Sequence, residues 1–275
     1  MKPALFDYVK PNSLTEATNL LAQGEEAQLL AGGQSLIPMM NLRVASPALV
    51  IDIAGLSELT TFSEDKTSVC LGACVTHAAI EDCRVPDPSR GLMPHVASGL
   101  SYRAVSTRGT IGGSLALADP AAEWPTVLTA LGAQVTLSSN RSQRNLSVAE
   151  LITGIYQTQI DSEVLENIEI PKLSDRARWG YVKLSRKSGA FANSIAAVVS
   201  DSARSHSRAV LGAANGAPIM LEHTSRLLEA SGSDLVLLEQ AISSDLAAVD
   251  DRLFDEYQIA AHAATIARAA QQVVK

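Results

Sequence analysis

Two stretches decide the reading of this chain: Ala31-Gly32-Gly33-Gln34-Ser35-Leu36-Ile37-Pro38 and, further on, Arg108-Gly109-Thr110-Ile111-Gly112-Gly113-Ser114-Leu115-Ala116-Leu117-Ala118-Asp119-Pro120. Paired glycines lack a Cβ, so the backbone can take positive φ and bring its N–H groups close to an anion. Ser35, Thr110 and Ser114 add hydroxyl donors. Either segment alone is ordinary turn punctuation. The two together point to a cradle for a phosphate-bearing cofactor, and specifically to a pyrophosphate.

Other phosphate and nucleophile motifs do not fit. A dinucleotide fingerprint needs Gly-x-Gly-x-x-Gly after a strand with an acidic residue about 20 positions on, and neither segment has that spacing. No Gly-Lys-Ser/Thr tripeptide follows either glycine run, which disfavours nucleotide hydrolysis. Gly33-Gln34-Ser35-Leu36-Ile37 begins like a nucleophile elbow but lacks its closing glycine.

The rest of the composition narrows the class. In 275 residues, 47% hydrophobic content supports a substantial core, and the net charge of −7 with no basic stripe argues against nucleic acid as a partner. No stretch approaches the roughly 20 apolar residues of a membrane helix and no signal-peptide core is visible near the start, so a cytoplasmic location is expected. The three cysteines, Cys70, Cys74 and Cys83, form no disulfide framework. A cluster ligated only by cysteine needs four thiolates, more than the chain has. The spacing places Cys70 and Cys74 on one face of a strand as core residues. Histidines 77, 95, 206, 223 and 262 show no metal-ligand spacing, and no metal site is expected. His77 and Glu81 read as a surface pair on one helix face, and His262 and Tyr257 as packing or interface residues of a terminal helix.

Local patterns give an α+β order. Ser13 and Glu16 predict a capping box opening a helix that Gly24 stops, with Leu14, Ala17, Leu20 and Leu21 on its apolar face. Strands are expected at residues 27–30, 49–53 and 68–74, then a short helix from His77 and another over 92–100. The second glycine loop leads into a helix over 121–131 closed by Gly132, followed by a strand at Val135 and Leu137. Ser147 and Glu150 predict a second capping box, and residues 164–170 a strand ended by Pro171. After a compositional break near 172–178 come strands at 179–186, 194–200 and 208–214. A last helix carries Ile259, Ala263, Ile266, Ala270 and Val273 on one face.

With Leu165-Glu166-Asn167-Ile168-Glu169-Ile170-Pro171 and Tyr181-Val182-Lys183-Leu184-Ser185-Arg186 following in order, the chain resembles the FAD-binding medium subunit of molybdenum hydroxylases, the family of the carbon monoxide dehydrogenase medium subunit and the xanthine dehydrogenase FAD domain. The resemblance implies a two-subdomain FAD-binding fold of the PCMH/vanillyl-alcohol-oxidase type over 1–172, with subdomains of about 1–56 and 57–172. It implies a C-terminal domain over 173–275 with a three-stranded sheet and helices. It implies FAD as cofactor, the phosphates and ribityl chain held by Ala31, Gly32, Gly33, Gln34, Ser35 and Leu36 and by Thr110, Ile111, Gly112, Gly113 and Ser114. Asp119 joins these positions, Glu123 stands near the ribityl chain or ring, and Leu165 and Lys183 flank the isoalloxazine. Leu117 stands where relatives often carry His and Ala190 where they often carry an acidic residue, and neither is given a role.

The implied function is electron transfer. A large partner subunit would hold the molybdenum-pterin centre and a small one two iron–sulfur clusters, in a dimer of heterotrimers, with oxygen, NAD or a quinone as final acceptor. No catalytic acid or base is needed in this chain, and Lys183 would favour a reduced, anionic flavin electrostatically. The rival readings are a stand-alone FAD-dependent oxidoreductase with its own small substrate, which would bleach alone, and a flavin-free scaffold subunit, which would be colourless.

Overall fold

A computed structural model describes residues 2–24, 26–230, 234–249 and 255–274. The first layer is a parallel three-stranded sheet in the order Asp7–Val9, Leu49–Asp52, Ala27–Leu30. Helix Leu14–Gln23 covers it, burying Ala17 with Ile51, Ile53 and Leu59. Ser13 caps that helix through Glu16 N, but the Glu16 carboxylate reaches back to Asn12 N and not to Ser13. The box predicted there is therefore half formed, whereas Ser147 and Glu150 make both bonds.

The second layer is a five-stranded antiparallel sheet in the order Phe62–Glu64, Ser68–Gly72, Val164–Pro171, Gln134–Ser138, Gln143–Ser147. Its central strand comes from much later in the chain than its neighbours on one side, so the sheet closes only when distant segments meet. Val69, Leu71, Val135, Leu137, Ile168 and Ile170 alternate onto one face and bury against helices Leu92–Ser98, Ile111–Leu117 and Glu123–Leu131. The strand predicted over 68–74 ends at Gly72, and the two cysteines part company. Cys74 is buried among Ile53, Leu56 and Leu59, while Cys70 is half-buried on the opposite side from Val69 and Leu71, beside Glu169.

The third layer is an antiparallel sheet in chain order, Arg178–Ser185, Ala192–Asp201, His206–Gly212 and a two-residue edge strand, Ile219–Met220. That fourth strand is too short to carry a sequence period. Ala196, Val198, Ala209 and Leu211 face helices Glu222–Glu229, Leu235–Ala247 and Glu256–Val274. Ala197, Val199 and Val210 face the other way and join the core of the second layer. The second of those helices, Leu235–Ala247, escapes a periodicity reading because Leu235, Val236 and Leu237 are exposed and blur the apolar stripe. Among the described residues no helix is long and apolar enough to cross a membrane.

Helix Glu123–Leu131 lies between the second and third layers, and every one of its residues is buried. Its C-terminus is closed by Gly132 at φ +72°, as predicted.

Close backbone approach holds the outer helix to the third sheet: a Cβ on Gly180 would stand 1.9 Å from the carbonyl oxygen of Ala269. Gly180→Ala must push Glu256–Val274 outward, and overpacking of this kind costs about 1–3 kcal/mol. The expected outcome is a melting temperature several degrees lower, read by circular dichroism.

Candidate functional site

Strand Ala27–Leu30 runs straight into the first glycine segment, where Gly33 turns the chain at φ +71° into the short helix Leu36–Asn41. Only glycine takes that φ without strain. Among the described residues, the backbone amides of Gly33, Gln34, Ser35 and Leu36 donate to no protein acceptor. Ser35 makes no capping bond with its hydroxyl, and the Gln34 side chain folds back to donate to Gly32 O at 3.1 Å. Such a run of consecutive unpaired N–H groups forms a concave anion-binding surface.

The second segment is built otherwise. Thr110 caps a helix, Ile111–Leu117, so Gly112 and Gly113 are helical and do not have the positive φ expected of a loop. The amides here are consumed internally: Ile111 N donates to Val75 O, Gly112 N to Ala73 O, Gly113 N to Thr110 Oγ1 and Ser114 N to Thr110 O. Gly112 serves packing, since a Cβ there would stand 2.5 Å from the Ala73 Cβ. Gly113 is exposed and Ser114 half-exposed, which leaves this edge of the helix open. Ala118 follows at φ +51°, and the Asp119 carboxylate accepts from Ala121 N at 2.9 Å and Tyr156 Oη at 3.3 Å.

The two segments meet. A Cβ on Gly32 would fall 2.1 Å from Arg108 O and 2.9 Å from Gly109 Cα, so the first loop rests directly on the start of the second. Leu165 lies deeper, at the bulge of the central strand, in the core that also holds Ile111, Leu115 and Trp124.

Lys183 and Glu123 form a buried ion pair at 2.5 Å, with side chains 10% and 8% exposed. Lys183 Nζ also donates to Gly99 O at 3.2 Å. Burial raises the pKa of Glu123 and the bonded ammonium opposes that rise. The cation expected to favour a reduced, anionic flavin is thus already matched by a carboxylate. Nearby, the Tyr181 hydroxyl is buried without a hydrogen-bond partner among the described residues, and burial and the Glu123 charge both push its pKa up.

His77 is not the surface residue its helix position implied. Trp124 Nε1 donates to His77 Nδ1 at 3.0 Å, and Glu81 instead pairs with Arg103. No spacing signal in the sequence links residues 77 and 124. No group of three or more His, Cys, Asp or Glu side chains suited to a metal ion occurs among the described residues.

Burial holds the His77 pKa down to about 4. An unfolded His77 takes its proton near pH 6.5, so as pH falls from there to about 4 the unfolded chain binds a proton the folded one refuses. Folding then loses up to about 3 kcal/mol from this residue, all of it present above pH 6.5. Urea unfolding at neutral and mildly acid pH should show that His77→Gln loses less stability on acidification than wild type.

A family model described as the FAD binding domain in molybdopterin dehydrogenase matches residues 4–173. The caffeine dehydrogenase subunit beta of Pseudomonas sp. (strain CBB1) is 39% identical over 202 residues, 72% of this chain and 68% of that protein. The carbon monoxide dehydrogenase medium chain of Afipia carboxidovorans is 32% identical over 248 residues, 88% of this chain and 86% of that protein. A solved structure of carbon monoxide dehydrogenase from Hydrogenophaga pseudoflava superimposes with a TM-score of 0.92 at 30% identity, over 99% of this chain and 98% of that one. With well over half its length matched by the family model, this chain belongs to the FAD-binding domains of molybdopterin dehydrogenases and is an FAD-binding subunit of a molybdopterin-dependent oxidoreductase.

Proposed function

We propose that this chain is the flavin stage of a heteromeric molybdenum hydroxylase or dehydrogenase. It would take electrons from iron–sulfur clusters of a small partner, with a large molybdenum-pterin subunit oxidising the substrate. The assembly proposed is a cytoplasmic dimer of heterotrimers, with the cofactor unit over residues 1–172 and a second domain over 173–275. The observation that carries this reading is the run of unpaired amides at Gly33, Gln34, Ser35 and Leu36, braced against Arg108 and Gly109. Among the described residues nothing satisfies those donors, and a pyrophosphate would.

FAD, when bound, supplies the redox chemistry and delivers electrons to a final acceptor such as oxygen, NAD or a quinone. The protein's share is binding and electrostatics. Residues 31–36 would present amides to the phosphates, and Thr110, Ile111, Gly112, Gly113 and Ser114 would set the wall opposite, with hydroxyls in place of the amides already used. Leu165 would give an apolar contact to the ring and Asp119 would hold the loop after the second segment through Ala121. Lys183 would bias the ring toward its reduced state less than a lone cation, because Glu123 neutralises it at 2.5 Å.

Two outcomes test this. Acid should release FAD and not FMN from purified protein, and Gly113→Val should lower flavin occupancy severely while keeping the fold. A Cβ at Gly113 meets Thr110 Oγ1 at 2.7 Å and displaces that cap, a loss worth about 1 kcal/mol to the helix. Wild-type occupancy in the variant would argue against the assigned wall.

Anaerobic stopped-flow absorbance of the flavin band tests the partner dependence. Dithionite should bleach the isolated chain and an organic substrate of the complex should not, until the small and large subunits are added. Rapid bleaching of the lone chain by that substrate would favour a stand-alone oxidoreductase.

A further inference from the structure

His77 sits at the junction of the two glycine segments although it belongs to neither. Its backbone N–H donates to Gly109 O at 3.0 Å, and Thr76 bridges Thr110 in a short antiparallel pairing. A Cβ built on Gly109 would stand 2.8 Å from His77 Nε2 and 2.8 Å from Cδ2, so this edge of the ring lies against the Gly109 backbone. Gly32 touches Gly109 from the other segment. Glycine at 109 is therefore what lets the imidazole reach this point.

The protonation state of the ring follows from its partner. An indole N–H can only donate, so the Trp124 bond at 3.0 Å makes His77 Nδ1 an acceptor. A neutral imidazole that accepts at Nδ1 carries its proton on Nε2. Among the described residues that Nε2–H donates to no protein acceptor, and Nε2 is not one of the buried polar atoms left without a partner, so it keeps an open side on which a ligand could accept from it. The Gly109 backbone that the ring lies against is also touched by Gly32, the residue that precedes the run of amides from Gly33 to Leu36 left without protein acceptors among the described residues.

We propose that His77, fixed as the Nε2–H tautomer by Trp124, is a further hydrogen-bond donor of the cradle, contacting a phosphate oxygen of the bound cofactor. The inference rests on the FAD-binding reading above and adds a side-chain donor outside both glycine segments. Trp124 acts as the positioning residue: it follows Glu123 in the buried helix, so the tautomer lock and the Lys183 ion pair are set by adjacent residues.

The test titrates the deflavinated full chain with FAD at neutral pH, read by quenching of flavin fluorescence, for wild type, His77→Phe and His77→Gln. Losing one donor to a charged acceptor should weaken FAD binding about tenfold or more in His77→Phe, measured at a temperature where the apo variant, which also loses the acceptor of Trp124 Nε1, is still folded. His77→Gln keeps a side-chain N–H and should recover most of the affinity. Wild-type affinity in His77→Phe, or an equal loss in both variants, overturns the proposal. Should His77→Phe fail to fold, long-range proton–nitrogen NMR spectra of the wild-type chain decide. A proton on Nε2 whose resonance moves on adding FAD supports the proposal, and a proton on Nδ1 or an unmoved Nε2 resonance overturns it. Failure of the wild type itself to bind FAD overturns the functional reading as well, whereas tight binding with an indifferent His77 overturns this inference alone.

Discussion

The fold depends on one helix, Glu123–Leu131, being buried on all sides between two sheets. A helix in that position has no solvent face, so its apolar residues all contribute to the core and its one charged residue must be matched inside it. Glu123 opens the helix and meets Lys183 from the third sheet. Breaking a buried pair by removing one partner costs about 3–5 kcal/mol, because the remaining charge stays in a low-dielectric setting. The pair therefore ties the C-terminal sheet to the cofactor-binding part of the chain and fixes where the head of the helix sits. Trp124, the next residue, carries that position on to His77 and from there to Gly109.

The two glycine segments look alike in sequence and work in different ways. The first offers amides: Gly33 adopts a left-handed turn and the N–H groups that follow it are unpaired. The second offers proximity: its amides are bonded to Ala73, Val75 and Thr110, and Gly112 lets the helix lie directly on Ala73. A glycine pair signals that a Cβ is not tolerated, and leaves open whether the reason is a φ angle, a ligand or a neighbouring backbone. Here both backbone reasons occur in one site.

Much of the architecture could be read from local chemistry. Gly24 and Gly132 end their helices, Ser147 and Glu150 form a complete capping box, and the alternation of residues 164–170 yields the central strand of the second sheet. These features depend on neighbours a few residues apart, and their physics is contained in the sequence. The misreadings have the opposite origin. Residues 111–117 form a helix because Thr110 caps it and Ala73 supports it from far along the chain, against the low helix propensity of glycine. Cys70 and Cys74 separate because the strand stops between them, at Gly72, where a Cβ would stand 2.3 Å from Leu59 O.

The sequence by itself determined the cofactor class, through two glycine segments and two downstream strands in fixed order, and the sequence of helices and strands that carries them. Tertiary structure alone decided which donors remain free, that Lys183 is neutralised by Glu123, and that His77 is drawn inward to Trp124. Each of these pairs residues dozens of positions apart, on elements brought together only by burial of the shared core. Hydrogen bonds and ion pairs are settled by distances of a few ångströms in space, and separation along the chain carries no information about them.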